Sequence, residues 1–279
     1  MRFAICNETF TDVSLEAGFE AAAELGYEGV ELAPFTLAPY ITEVSPARRA
    51  EIRKTIESLG LKTVGLHWLL AKTEGYHLTS PDVMIRRRTT EYLLELIRAC
   101  ADLGGNVLVF GSPQQRSILP GADRRQAEDY AVEVLGGLRK ELERTGVILA
   151  LEPLSPQETN FLNTAEETVQ LLRRLGSPHI KLHLDCKAMS AESVPIPELL
   201  RRHRGDVAHF HANDPNRQGP GFGALDFIPI FRALREIDYR GWVSVEVFDY
   251  SPGPQRLAEE SLAYMKRCLA ALDALSASG

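Results

Sequence analysis

Four residues that could hold a metal ion or move a proton stand at the ends of apolar runs in the second half of the chain. Glu152 follows Val147–Leu151, Asp185 follows Ile180–Leu184, His211 ends Asp206–His211, and Glu246 lies in Trp242–Val247. A buried ionised carboxylate is costly unless a cation or a proton offsets it. Three carboxylates and an imidazole meeting at one place would therefore repel one another without a positive charge, and a divalent cation supplies it. An oxygen-rich set with one nitrogen suits Mn²⁺, Mg²⁺ or Co²⁺ better than structural zinc. Mn²⁺ is the first choice, with Co²⁺, Mg²⁺ or Zn²⁺ as alternatives. Four such ligands leave about two positions of an octahedron for adjacent substrate oxygens.

Positioning these groups falls to a regular alternation of short apolar runs and amphipathic stretches. Strands are expected at Arg2–Cys6, Gly29–Leu32, Leu61–His67, Asn106–Phe110, Val147–Leu151, Ile180–Leu184, Asp206–His211 and Trp242–Val247. Helices are expected at Ser14–Leu25, Pro46–Leu59, Pro81–Leu103, Asp123–Thr145, Thr164–Leu175, Ile196–His203, Asp226–Ile237 and Pro254–Leu275. Thr164 and Glu167 have capping-box spacing, and Gly26, Gly60, Gly146 and Gly176 stand as helix stops. Eight strand–helix units with no Pro- or Ser-rich linker predict an α/β fold, a single (β/α)8 barrel over residues 1–279. No G-x-G-x-x-G follows the first strand, as a dinucleotide-binding sheet would require. Gly219, Gly221 and Gly223 are expected to serve a turn rather than a phosphate cradle.

In a barrel, alternate strand residues point inward and chemistry gathers where the strands end. If Leu149 and Leu151 face the helices, Ala150 and Glu152 face in. The same phase sends His183, Asp185, His209, His211, Ser244 and Glu246 inward, although Val207 breaks strict alternation. In the first half, Cys6, Glu31, His67 and Phe110 take the matching positions. His67, beside Trp68, is expected to line the pocket, and Glu31 either to join it or to pair with a lysine or arginine. Cys6 is expected to be a small buried filler, and His209 a hydrogen-bonded core residue one layer below His211. His77, His179 and His203 are expected at loops or helix ends without a role. The segment Gly111–Arg116 and Phe222 are candidate lid elements.

The composition is that of an ordinary globular chain, with 25% charged and 44% hydrophobic residues in 279. A net charge of −7 argues against nucleic acid as a partner. No run is apolar and long enough to span a membrane, and the amino terminus leads straight into a strand without a signal-like segment. Cys6, Cys100, Cys186 and Cys268 are far apart, which suggests neither disulfides nor a zinc knuckle, and a reducing cytoplasm is the expected home. The oligomeric state is left open, a homo-oligomer included.

The runs Leu-Glu-Pro (151–153), His-Leu-Asp (183–185), His-Phe-His-Ala-Asn-Asp (209–214) and Val-Glu-Val (245–247) resemble the xylose-isomerase-like barrels of the sugar phosphate isomerase/epimerase superfamily. Within that group the chain is most similar to ketose 3-epimerases of the tagatose/psicose type and to hydroxypyruvate isomerase. The resemblance implies a carbohydrate substrate and metal ligands at Glu152, Asp185, His211 and Glu246. It also implies proton transfer by Glu152 and Glu246 on opposite faces of the substrate, through a metal-stabilised enediolate. Glu158 and Arg217 match substrate-contacting positions. One departure is plain: these enzymes carry Asp-x-x-His, whereas this chain has Asp185-Cys186-Lys187-Ala188. Lys187, His183 or His67 could take over from the missing ring.

Three functions follow. The first is a metal-dependent isomerase or epimerase of a keto-sugar. The second, favoured by Ala188, is a lyase using the same groups on a keto-sugar, keto-inositol or keto-glycoside. The related apurinic endonucleases need extra histidine ligands that are missing around Phe110–Ser112. The third is a non-catalytic sugar-binding subunit, against which the pair Glu152 and Glu246 speaks.

Overall fold

The computed structural model describes residues 1–10 and 12–277. Eight parallel strands close into a barrel in chain order. They are β1 (Arg2–Cys6), β2 (Gly29–Leu32), β3 (Lys62–Leu66), β4 (Val107–Phe110), β5 (Ile148–Leu151), β6 (Ile180–Asp185), β7 (Val207–Ala212) and β8 (Trp242–Val245). Around them run α1 (Leu15–Leu25), α2 (Pro46–Ser58), α3 (Val83–Asp102), α4 (Arg124–Gly136), α5 (Arg139–Thr145), α6 (Ala165–Leu175), α7 (Cys186–Met189), α8 (Ile196–Arg202), α9 (Phe227–Glu236) and α10 (Pro254–Ala277). The expected (β/α)8 barrel is the fold observed. Among the described residues, no helix is long and apolar enough to cross a membrane, and all four cysteines are free and buried.

The single helix expected over Asp123–Thr145 is two, α4 and α5, parted at Gly137, where the chain passes so close to α3 that a Cβ would lie 2.9 Å from the Thr90 methyl. Caps fall where short polar side chains precede the helices: Ser14, Ser45, Asp82, Asp123, Thr164 and Asp226 each accept a backbone N–H of the first turn. At α6 the Thr164 hydroxyl takes the Glu167 N–H, but the Glu167 carboxylate reaches past the cap to the Asn163 N–H instead.

Strand register divides the apolar residues in two. Leu108, Phe110, Leu149, Leu151, Leu182, Leu184, Phe210, Val243 and Val245 join the continuous core between barrel and helices. Val107, Val109 and Ala150 form a separate cluster inside the barrel, as do Ala4, Val64 and Trp242. Phe110 therefore faces the helices, contrary to the inward position expected for it. Val109 takes that place, because the inward phase of β4 falls on odd numbers, and the next inward position is Gly111. The misfit at Val207 has a structural cause: Leu182 pairs with Val207 but His183 with His209, so Ala208 is an extra residue that shifts the phase of β7. A similar shift in β3, between the pairs Val30–Thr63 and Leu32–Leu66, lets both Val64 and His67 face in.

Gly65 pairs with Val107 across β3 and β4, and a Cβ on it would lie 1.8 Å from the Val107 carbonyl oxygen. The obstacle is backbone, so no side chain can yield. Gly65→Ala is expected to lower unfolding stability by about 3 kcal/mol, the upper end of overpacking costs, in urea titrations. A loss within error would mean that β3 and β4 are not so closely apposed.

Candidate active site

At the carboxyl end of the barrel, β6, β7 and β8 bring Asp185, His211 and Glu246 together, with one potential ligand atom of each within 4.8 Å of the others. All three are buried. Glu152, from the end of β5, is not in that group, but it lines the same cavity as Glu246. Glu152 also feels the others: burial first, then the charges of Asp185 and Glu246, raise its carboxyl well above the usual range. Burial and Glu246 push Asp185 up to about 6. Burial raises Glu246 too, but the His211 ring outweighs it and leaves this carboxyl below its ordinary value. The two glutamates are thus driven apart, Glu246 toward carboxylate and Glu152 toward the acid, the usual sign of paired acid–base roles.

The ring of His211 is the hinge of this balance. Its Nδ1 lies 3.0 Å from Glu246 Oε2 and its Nε2 3.1 Å from Glu31 Oε1. Glu31, wholly buried at the end of β2, also takes His209 Nε2 at 2.7 Å. Of the two alternatives expected for Glu31 neither is seen: its partners are histidines rather than a lysine or arginine, and it does not line the cavity that Glu152 and Glu246 share. Burial alone would raise Glu31, but the His209 and His211 rings pull it well below the carboxylate range. His211 moves the opposite way, since Glu31 and Glu246 override its burial. His209 is the hydrogen-bonded core residue expected below His211.

This donor set fits a divalent cation. Asp185, His211 and Glu246 offer hard oxygens and one nitrogen, and a cation on His211 Nδ1 would leave Nε2–H donating to Glu31, the carboxylate–histidine support usual at metal sites. Asp185 is oriented by the Ala188 N–H (2.8 Å) and the Asn213 amide.

Glu246 and Glu152 line a cavity of about 580 Å³, whereas Asp185 and His211 are fully buried and do not. His67, Glu158, Lys187 and Arg217 line it, as the sequence suggests, whereas His183 and Phe222 do not. His183 is wholly buried beneath, its ring 4.2 Å from that of His211. Phe222 sits below the Arg256 guanidinium and packs on the helical layer, because the loop is folded around Asp214, whose carboxylate takes the Gly221 and Leu225 N–H groups. The glycines there make a turn, with Gly221 at φ 89°. The aromatic wall is instead Trp68 and Phe248, with ring centroids 5.9 Å apart.

Lys187 Nζ lies 2.6 Å from Glu158 Oε1 and 4.6 Å from the Phe248 ring centre. Ala188 is buried and is not among the residues that line this cavity. Arg116, in the segment expected to be a lid, is wholly buried. Its guanidinium donates to the carbonyls of Phe110, Glu152, Phe161 and Leu162, so it is a post that anchors Glu152.

Three features escaped the sequence reading. Trp68 Nε1–H donates to Glu246 Oε1 at 2.8 Å, from a backbone with φ 53°, and its place after a strand-end histidine was the available signal. Gly111 leaves room for Glu152, since a Cβ there would lie 1.8 Å from Oε2. Glu8, in the turn after β1, holds His67 Nε2 at 2.9 Å.

A family model described as a xylose isomerase-like TIM barrel matches residues 19–268. The chain belongs to this family. Among its relatives, the D-psicose 3-epimerase of Agrobacterium fabrum is 29% identical over 232 residues, 82% of this chain and 78% of that one. The 3-dehydro-D-guloside 4-epimerase of Escherichia coli is 26% identical over 281 residues, 96% of this chain and all of that one. A D-psicose 3-epimerase structure solved in the presence of D-fructose superposes with a TM-score of 0.84 at 25% identity, covering 96% of this chain and 99% of that one.

Cation binding at these residues must displace protons from the metal-free protein, on His211 and, below about pH 6, on Asp185. Affinity for Mn²⁺ is expected to fall at least about tenfold per unit as the pH drops through 6, measured by titration calorimetry. An affinity flat across that range would exclude Asp185 and His211 as ligands.

Proposed function

We propose that this protein is a metal-dependent epimerase of a keto-sugar, inverting a carbon next to the ketone. The observation that carries this reading is the pair of buried glutamates, Glu152 and Glu246, from β5 and β8, lining one cavity with their proton affinities driven in opposite directions. A binding protein has no use for such a pair. The sugar epimerases among the relatives support the reading, and so does a cavity within the roughly 300–1,000 Å³ of small-molecule sites.

Asp185, His211 and Glu246 would hold a divalent cation, with Glu152 as the fourth ligand and Mn²⁺ the first choice. A divalent ion there supplies Lewis-acid stabilisation of the charge that develops on the ketone oxygen. Glu246, kept ionised by His211 and oriented by Trp68, takes the proton from one face of the substrate carbon. Glu152, the acid of the pair, returns one to the other face, and the roles exchange for the opposite epimer. Arg116 and Gly111 keep Glu152 in place. Lys187, held by Glu158, and Arg217 bring positive charge to the substrate oxygens where the resembling enzymes use the histidine replaced here by Ala188.

The test is incubation of the Mn²⁺-loaded protein with free ketoses and 3-keto-glycosides in deuterated water, followed by NMR. Solvent deuterium is expected at the inverted carbon. Glu152→Gln and Glu246→Gln should each lower the rate about 10²- to 10⁴-fold, the usual worth of a general acid or base, and Asp185→Ala should lose bound Mn²⁺. Wild-type rates in both glutamine variants would refute the assignment. An unsaturated product would mark elimination, the reading that Ala188 favours.

A further inference from the structure

A second cavity of about 470 Å³ adjoins the first and shares Trp68, Ser112 and Pro113 with it. Glu8, Phe35, Ala71, Lys72, Gln114, Gln115 and Tyr250 complete its lining. We propose that it binds a second, non-reacting sugar unit, so that the substrate is a keto-glycoside with a sugar aglycone rather than a free ketose. The proposal rests on the keto-sugar reading above and names the substrate class.

The lining combines the aromatic rings of Phe35, Trp68 and Tyr250 with the polar groups of Glu8, Gln114 and Gln115. Phe35 and Trp68 meet edge to face with centroids 6.3 Å apart, and the Lys72 ammonium lies 3.9 Å from the Phe35 ring centre. Such surfaces suit the C–H faces and hydroxyl rim of a pyranose. Glu8 adds a specific demand. It is 4% exposed, one carboxylate oxygen is engaged by His67, and the other, Oε1, is buried with no hydrogen-bond partner. A carboxylate oxygen accepts but cannot donate, so it calls for a ligand with O–H or N–H groups. It also repels a phosphate, and Lys72 is the one cationic side chain among the lining residues, which sets a neutral sugar above a phosphorylated one.

The partition between the cavities is itself built for a purpose. Trp68 (φ 53°) and Lys72 (φ 60°) both hold left-handed backbone that side chains rarely adopt. They keep this loop between the two spaces, with the indole tied to Glu246. A glycoside lying across Trp68 would place its keto ring at the glutamate pair and its aglycone against Glu8, Phe35 and Tyr250.

The experiment compares a disaccharide oxidised to a ketone at C3 of one ring with the corresponding methyl 3-keto-glycoside, using the metal-loaded full chain. The disaccharide is expected to have a kcat/KM about tenfold or more above that of the methyl glycoside, as remote binding energy allows. Gln115→Trp, which fills the second cavity, should close that gap, and Tyr250→Ala, at a partly exposed site, should narrow it without risk to folding. Saturation-transfer NMR with the unoxidised disaccharide gives a readout apart from turnover: both rings should receive magnetisation from the wild type and only one from Gln115→Trp.

Equal kcat/KM for the two substrates, an unaltered gap in both variants, or contact with one ring alone would overturn the proposal. Contact with both rings but no turnover of either ketone would leave the sugar subsite standing and sink the epimerase reading instead.

Discussion

The buried His211 imidazole, suspended between Glu31 and Glu246, is the interaction on which the site depends. Two buried carboxylates at hydrogen-bond distance from one ring need that ring to be positive, or one of its protons to be replaced by a cation. Glu31 is pinned from β2, His209 and His211 come from β7, and Glu246 from β8. The balance thus spans one side of the barrel wall. Removing the ring would leave Glu31 with His209 as its close partner and Glu246 with the Trp68 indole as hydrogen-bond donor and the His67 ring nearby. The barrel can hold Asp185 and Glu152 nearby because this charge balance is already in place.

Glu152 is held by different means. Among the described residues its carboxylate makes no hydrogen bond, and what sets its place is shape: the absent side chain of Gly111 and the Arg116 guanidinium gripping its carbonyl. An arginine without a carboxylate partner, buried enough to bring its guanidinium down to about 10, shows how much the structure invests in this loop junction. One glutamate is positioned by charge and the other by packing. That difference matches the division into base and acid proposed for them.

Much of this was legible in the residues. Short apolar runs marked all eight strands, glycines marked the ends of several helices, and the period of two placed Glu152, Asp185, His211 and Glu246 at one end. Alternation failed where the strands depart from it: Phe110 was turned inward because β4 is short and its phase cannot be counted from its end, and Val207 was anomalous because of the extra residue Ala208. Long-range pairing was out of reach. Nothing near Glu31 in the chain announces His209 and His211, some 180 residues away, and nothing near Arg116 announces the carbonyls that bury it. Phe222 looked suited to a sugar wall by type, but its loop folds around Asp214 and turns it to the helices.

A divalent cation is proposed to complete the charge balance at His211. Diffraction at the manganese absorption edge, from crystals grown with Mn²⁺, tests it most directly. The predicted result is an anomalous peak bonded to His211 Nδ1, ringed by oxygens of Glu152, Asp185 and Glu246, with His211 Nε2 still on Glu31. No peak at that position, or one held instead by Glu31 and His209, would contradict it.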